Sequence, residues 1–363
     1  MGTIRVGIVG ATGFAGAELA RLLAHHPAFE AVALTAGAEA GTAVGALYPA
    51  LEHAYPGARF VPHDDASLLS CDAVFTAVPH TAGMSHAQRL IARGISVIDL
   101  SADFRFGDIA LYERTYGVRH TAPELARRAV YGQPETMRER LAEAARERAA
   151  GTPALVGCAG CYVTASILAA APALAAGAVE AGAPIVADGI SGVTGAGRKA
   201  TARTHFCAAH DNVEAYGLPV HRHAPEIAQA YARLMPALGR ADDVRLSFVP
   251  HLAPLKRGLL ATVHLPLAAD ADAAGLHEAY RAFFRTSPLV SVLDEGARPA
   301  TAAVAGTARA QVNVSVDERT RMACALCAID NLGKGAAAQA VQCANLVFGL
   351  PEDAGLDALA CIP

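Results

Sequence analysis

Residues 7–16, GIVGATGFAG, constrain this chain more than any other stretch. A strand-like run, IRVGIVG (4–10), leads into glycines at 10, 13 and 16 and then into a helical pattern, AGAELARLLAHH (15–26). Glycine at those points permits a tight turn and close backbone approach to a pyrophosphate. The charge of that group then sits at the positive end of the following helix. Such a strand–turn–helix opens a doubly wound parallel sheet that binds a dinucleotide. The plainer alternative is a glycine-rich turn with no ligand.

The following segments fit the first reading. AVALT (31–35), CDAVFTAV (71–78) and GISVIDLS (94–101) read as strands, and AGMSHAQRLIARG (82–94) as a helix between two of them. Alternation of this kind predicts a parallel α/β sheet. ETMRERLAEAARERAAG (135–151) reads as a charged, solvated surface helix. After residue 160 the pattern changes. IVADGIS, VRLSFVPHL, LLATVHLPL and AQVNVSVD predict longer strands of a mixed, largely antiparallel sheet, with one helix near 271–286. GKGAAAQAVQCANLVFGL (333–350) has apolar positions at 337, 341, 344 and 348, which predict a helix returning to the first domain. The fold class is thus α/β, a Rossmann sheet plus an α+β domain. The expected boundaries are residues 1–157 with 334–363 for dinucleotide binding, and 158–333 for catalysis and oligomerisation.

Composition excludes several functions. The chain has 363 residues, 53% hydrophobic and 18% charged, with a formal net charge of −4. That length divides readily into two domains. The absence of any Lys/Arg-rich run argues against a nucleic-acid or anionic-membrane partner. No signal peptide is expected from MGTIRVGIVGATG, and no apolar stretch reaches the roughly 18–20 residues of a membrane span. A cytoplasmic protein is expected.

Eight cysteines are scattered at 71, 158, 161, 207, 324, 327, 343 and 361 and are expected to be reduced. Two pairs share the C-x-x-C spacing, GCAGCYVT (157–164) and MACALCAID (322–330). A zinc ribbon would bring its halves within about 15–20 residues on polar turns. These halves are far apart and one lies in an apolar strand, so no metal site is expected. Cys324 and Cys327 read as small core residues. Cys161, in contrast, opens a helical pattern, where free N–H groups and the helix dipole favour a thiolate. Cys158 lies before that start and gains less.

A reactive thiol acting on an acyl group needs an acid or base, an oxyanion stabiliser and a substrate clamp. HRHAPEI (221–227) supplies His221 and His223 on one face if the segment is extended. SGVTGAGRKA (191–200) supplies a glycine-rich loop ending in Arg198 and Lys199, and DLSADFR (99–105) ends in Arg105 at a carboxyl strand edge. These cations suggest an anionic substrate. Cofactor choice is read from LTAGAEAG (34–41), where Thr35 stands in place of the acid that binds the ribose 2′-hydroxyl of NAD. The lack of that acid favours NADP(H).

GATGFAG, DLSADFR, GCAGCY, SGVTGAGR, GLPVHRHAPEI, HLAPLKRGLLATV and DNLGKGAAAQAVQ, in that order from residue 7 to about 345, resemble the N-acetyl-γ-glutamyl-phosphate reductase family. The resemblance implies a Rossmann domain and a glyceraldehyde-3-phosphate dehydrogenase-like catalytic domain. It implies Cys161 as nucleophile and a histidine of the HRH motif as acid/base, His221 before His223. Arg105 and Arg198, with His223, would hold the substrate. Gly10, Thr12, Gly13, Phe14, Ala15, Gly16, Thr35, Ser191 and Gly192 would bind the dinucleotide, with His80 and Asn331 near its nicotinamide. Two departures stand out. The family's thiol turn reads G-N-P-G-C-Y, whereas Cys158 and Ala159 occupy the Asn and Pro positions here. Its Pro-His loop continues with Gly, whereas this chain has Thr81.

The resemblance therefore implies NADPH-dependent reduction of N-acetyl-L-glutamyl 5-phosphate to the semialdehyde and phosphate through a cysteine thioester, in arginine biosynthesis, by a homodimer or homotetramer. Its rivals are a reductase of aspartyl phosphate or carrier-bound aminoadipyl phosphate, and a non-catalytic redox sensor switching on Cys158 and Cys161.

Overall fold

The computed structural model describes residues 2–235 and 240–362. It divides into two units, Met1–Ala159 with Ala336–Ala358, and Gly160–Gly335 with Leu359–Pro363.

The first unit is built on seven strands: β1 (Ile4–Val9), β2 (Phe29–Ala36), β3 (Val61–Pro62), β4 (Ala73–Thr76), β5 (Ser96–Asp99), β6 (Val130–Gly132) and β7 (Leu155–Cys158). Their order is β3-β2-β1-β4-β5-β7-β6, and every pairing is parallel. β1 and β4 face no solvent over their last four residues, as parallel strands covered on both faces require. Helices α1 (Phe14–Leu23), α2 (Val44–Leu47), α3 (Gly83–Ile91), α4 (Ile109–Tyr116), α5 (Pro123–Arg128) and α6 (Pro134–Ala149) connect the strands. The order reverses direction between β1 and β4, so the crevice at their carboxyl ends is where a ligand belongs.

α6 departs from the solvated helix expected of its charge. It buries Glu135, Leu141 and Ala144, and Glu135 accepts a hydrogen bond from Gln342 at 3.1 Å. Arg138 pairs with Glu352 at 2.5 Å, and Arg148 donates to Val347 O at 3.0 Å. Charge at alternate turns thus masks a docked face.

The second unit begins with α7 (Cys161–Ala175), of which residues 162–174 are all buried. A helix apolar all round is a core helix, and this one packs on a seven-stranded mixed sheet. The strands are β8 (Ile185–Gly192), β9 (Glu214–Ala215), β10 (Leu246–Ala253), β11 (Leu259–Pro266), β12 (Val290–Val292), β13 (Ala310–Asp317) and β14 (Met322–Ile329). Their order is β12-β13-β14-β11-β8-β10-β9. The β8–β10 and β12–β13 pairs are parallel and the rest antiparallel. α8 (Phe206–Ala209), α9 (Ala224–Leu234) and α10 (Ala273–Phe284) belong to this unit, whereas α11 (Ala338–Val347) packs on α6 and α1 of the first.

β14 corrects one reading of the cysteines. Residues three apart on a strand point to opposite faces. Cys327 is fully buried, but Cys324 lies half-buried on the other face, beside Met322 and Leu326.

Candidate active site

In the first unit, β1 ends at Gly10 with φ +88°, where a Cβ would fall 2.4 Å from Ala77 O. A Cβ on Gly16 would lie 2.2 Å from Gly10 O, so both positions exclude any side chain. A Cβ on Gly13 would meet nothing nearer than Gly10 O at 3.6 Å, which leaves room above the turn. Gly13 is also the N-cap of α1, without a side-chain cap and without an acid in the first turn. The amides of Phe14, Ala15 and Gly16 therefore begin a helix whose positive end is available to an anion. This cradle fits a pyrophosphate.

Beside the turn, Thr12 Oγ1 lies 3.4 Å from Glu39 Oε2, and Thr12 O accepts the Tyr48 hydroxyl at 2.8 Å. Glu39, four residues after Thr35, thus folds back to the turn. Thr35 is fully buried, with its hydroxyl 2.7 Å from His63 Nδ1. An arginine also reaches this corner, since Arg89 donates to His63 O at 2.8 Å. Its contribution from α3, 54 positions beyond Thr35, could not be seen in a local motif.

The loop after β4 carries His80. The Ala102 amide donates to His80 Nδ1 at 3.0 Å, so the neutral ring holds its proton on Nε2. Asp103 organises the same loop. Its carboxylate accepts from the amides of Thr81 at 2.7 Å and Gly83 at 2.9 Å, and from the Tyr112 hydroxyl at 2.8 Å. Thr81 has φ +76°, a left-handed conformation rare for a β-branched residue. The backbone still adopts the shape that a glycine would allow freely, and Asp103 holds it there. Arg105 is buried and donates to Leu100 O at 2.8 Å. Gly157 in β7 lets its segment approach, because a Cβ there would fall 2.2 Å from Phe104 O. Burial raises the Asp99 carboxyl to about 6, against hydrogen bonds from Ser101 and Thr76 and the charge of Arg105, all of which lower it.

In the second unit, Cys161 is the first residue of α7 and is half-buried. Its N-cap, Gly160, offers no side chain to the free amides. The Gly160 amide donates to Glu226 Oε1 at 3.2 Å, and Glu226 is fully buried in the first turn of α9. Gly335 closes against the thiol residue, since a Cβ there would lie 2.8 Å from Cys161 Cβ.

The HRH segment is not extended as expected; it turns into α9, with His223 as the N-cap. The turn nonetheless brings the two rings together, with centroids 4.9 Å apart. Tyr162, the residue after Cys161, stands 6.2 Å from the His221 ring and 6.0 Å from that of His223. The His223 amide donates to His221 Nδ1 at 3.2 Å, so the neutral His221 ring carries its proton on Nε2. Burial, reinforced by Arg222, lowers His221 to about 4 and keeps it neutral near pH 7.

Ser191 and Gly192 end β8 and are buried. A Cβ on Gly195 would lie 3.2 Å from Ser191 Oγ and 3.6 Å from Asn331 Nδ2, which brings these groups to one place. Asn331 accepts from the Gly258 amide at 2.8 Å and donates to Thr194 Oγ1 at 2.9 Å. The neighbouring Asp330 is fully buried and paired with Arg257 at 2.8 Å. Arg198 lies exposed beyond the short turn Val193–Ala196. Among the described residues, no group of three or more His, Cys, Asp or Glu side chains is arranged to hold a metal ion.

Known proteins resemble this chain along nearly its whole length. Residues 5–144 match the family model described as semialdehyde dehydrogenase, NAD binding domain, and residues 161–331 match semialdehyde dehydrogenase, dimerisation domain. The N-acetyl-gamma-glutamyl-phosphate reductase of Desulforudis audaxviator is 46% identical, covering 97% of this chain and 98% of that one. The protein of the same name from Neisseria meningitidis serogroup C is 44% identical over 99% of both. The chain belongs to the N-acetyl-γ-glutamyl-phosphate reductase family.

Solved structures share the fold. Aspartate semialdehyde dehydrogenase II from Vibrio cholerae, complexed with ASA, superposes with a TM-score of 0.70 at 16% identity, covering 96% of this chain and 99% of that one. The Candida albicans aspartate semialdehyde dehydrogenase with NADP gives 0.68 at 14% identity, covering 95% and 99%. Motif reading did not single out Glu226, Asp103, Asp330 and His63, whose hydrogen bonds organise the segments described above. Glu226 had a signal, an acid five residues after His221. The other three lie in loops and have no spacing of their own.

Proposed function

We propose that this protein reduces N-acetyl-L-glutamyl 5-phosphate to N-acetyl-L-glutamate 5-semialdehyde and phosphate, with NADPH, in arginine biosynthesis. The observation that carries the chemistry is Cys161 on the first turn of a buried, uncapped helix, in a chain that matches reductases of this name end to end.

Cys161 attacks the acyl carbon as thiolate, held in that form by the amides at the start of α7. Phosphate leaves and a thioester remains on the sulfur. When bound, NADPH supplies the hydride that reduces this thioester. The His221 Nε2 proton is shared with the oxygen as negative charge develops there and stays on the ring when the hemithioacetal collapses and releases the thiolate. His221 thereby takes over stabilisation that a side-chain amide at position 158 would give. Arg105 and Arg198, with His223, hold the anionic substrate. Gly10, Thr12, Gly13, Phe14, Ala15 and Gly16 hold the dinucleotide, with His80, Ser191, Gly192 and Asn331 also on its side; Thr35, expected among them, is fully buried and does not reach it. In this reading the first unit is the NADP-binding domain and the second the catalytic domain.

The second unit also has a face suited to self-association. Val186 (37% exposed) and Ile190 (39% exposed) stand on β8 beside His264 and Leu260 of β11, in register with Cys324 and Ala328 of β14. α7 covers the opposite face. We place a homodimer contact on this open face, in a cytoplasmic enzyme; Ile190→Asp should give monomers by sedimentation.

The deciding assay runs the reaction in reverse. Semialdehyde, phosphate and NADP with the wild type should give phosphate-dependent NADPH formation, and Cys161→Ser should give almost none. Faster turnover of aspartate semialdehyde would reassign the substrate.

A further inference from the structure

The reading of NADP(H) as cofactor leaves open which group recognises its 2′-phosphate. Thr35, the residue at the expected place, turns its hydroxyl to His63 and is itself fully buried. We propose that His63, oriented by Thr35, is the residue that recognises the adenosine 2′-phosphate.

Topology puts His63 in the right corner. β3 pairs with the end of β2, Thr35 opposite Val61 and Ala36 opposite Pro62, so His63 leaves the sheet at the same carboxyl edge. The Ala11 amide of the glycine turn donates to Thr35 O at 2.9 Å, which ties that edge to the pyrophosphate cradle. In a Rossmann sheet the adenosine ribose lies against the end of the second strand. His63 Nε2 sits 3.7 Å from the point a Cβ on Gly37 would occupy. The imidazole edge therefore borders the space that the missing side chain leaves just past β2.

The chemistry of the ring suits an anion. If the Thr35 hydroxyl donates to Nδ1, the ring proton is on Nε2; in the charged ring both nitrogens carry protons. Either state presents Nε2–H toward Gly37. One cation, Arg89, approaches this segment from α3. Arg89 donates to His63 O at 2.8 Å, and the His86 ring stands edge-on at 5.8 Å. Burial holds His63 below its ordinary range; Asp64 acts in the opposite direction, and Arg89 adds a smaller lowering. An arriving phosphate would offset the charge of Arg89. On the other flank Glu39 lies against Thr12 and repels a phosphate, which makes a compensating donor at His63 the more necessary.

The test separates the 2′-phosphate from the rest of the nucleotide, using calorimetry on the full-length protein with 2′,5′-ADP and 5′-AMP, which differ only in that group, as probes. Wild type should bind 2′,5′-ADP about tenfold tighter than 5′-AMP, as a charge-assisted contact implies. His63→Gln should lose about fivefold or more for 2′,5′-ADP and less than about twofold for 5′-AMP. Thr35→Val, which keeps the buried shape, should show a smaller loss of the same selectivity. Retained 5′-AMP binding reports that each variant is folded. Preference for 2′,5′-ADP preserved in His63→Gln, or equal losses for both probes, overturns this proposal alone. A wild type without that preference overturns the NADP(H) reading as well.

Discussion

Two stretches of this protein carry the same C-x-x-C spacing and differ in almost everything else. Cys158 closes β7 and Cys161 opens α7, so the pair spans a change from strand to helix. Cys324 and Cys327 lie within one strand, β14, and point to opposite faces of its sheet. In the first pair the helix start singles out one sulfur, because Cys161 is the first residue of α7, at the positive end of its dipole, and Cys158 precedes it in β7. In the second pair no such asymmetry of charge exists, only one of burial, and burial raises the Cys324 thiol. Spacing between cysteines therefore says little until the backbone that carries them is known.

The largest effect should come from Cys161. Replacement by serine should lower kcat about a thousandfold or more, since the hydroxyl is a far weaker nucleophile and the thioester is lost. Cys324→Ser in the same assay should stay within about twofold. A Cys161→Ser enzyme retaining a tenth of wild-type turnover would break the comparison.

His221 sharpens it next. Its loss in His221→Asn should cost about 10²–10³ in kcat, with substrate KM much less changed. Burial holds the wild-type ring near 4, below its ordinary 6.5. The acid limb that His221 contributes to kcat/KM should therefore lie near pH 4, and His221→Asn should remove it. Stability has a matching sign: between 6.5 and 4 the unfolded chain binds this proton before the folded one, so stability falls as the pH falls through that window. An acid limb centred near 6.5 would contradict the burial seen around the ring.

How far these features could be read from residues alone varies with their range. The glycine turn, the helix starting at Cys161 and the strand grammar on either side are local, and patterns of three to ten residues expose them. The HRH motif was visible, but its shape was not: an extended segment and a turn into α9 have the same spelling, and the N-cap role of His223 decides between them. Glu39 and His63 were illegible for a different reason. Each reaches its place through a loop, and only the β2–β3 pairing brings His63 to Thr35. Thr81 was visible as a departure, yet the positive φ that gives the departure meaning needed the backbone.

A smaller effect distinguishes the two sulfurs of β14. Cys327 is fully buried, so Cys327→Ser places a hydroxyl in the core and should cost about 1–3 kcal/mol, read as a lower midpoint in urea. Cys324→Ser, on the half-exposed face, should cost less than half of that. Equal losses would mean that the two faces of β14 are alike in burial.

The smallest effect concerns Cys158, where the resemblance to the family predicts an asparagine. Cys158 is 1% exposed in β7, and the neighbouring backbone is close: a Cβ on Gly132 of β6 would fall 2.9 Å from Cys158 Cα. These facts describe a side chain that fills space between strands. If that is its whole contribution, Cys158→Ala removes one sulfur from a packed region at a cost of about 1 kcal/mol in stability, with kcat within about threefold of wild type. Timed alkylation in the native state, followed by peptide mass spectrometry, should then modify Cys161 long before Cys158. A tenfold fall in kcat in Cys158→Ala, or alkylation of both sulfurs at one rate, would show that the neighbouring thiol takes part in the chemistry and that the symmetry of the C-x-x-C spacing survives in the folded protein.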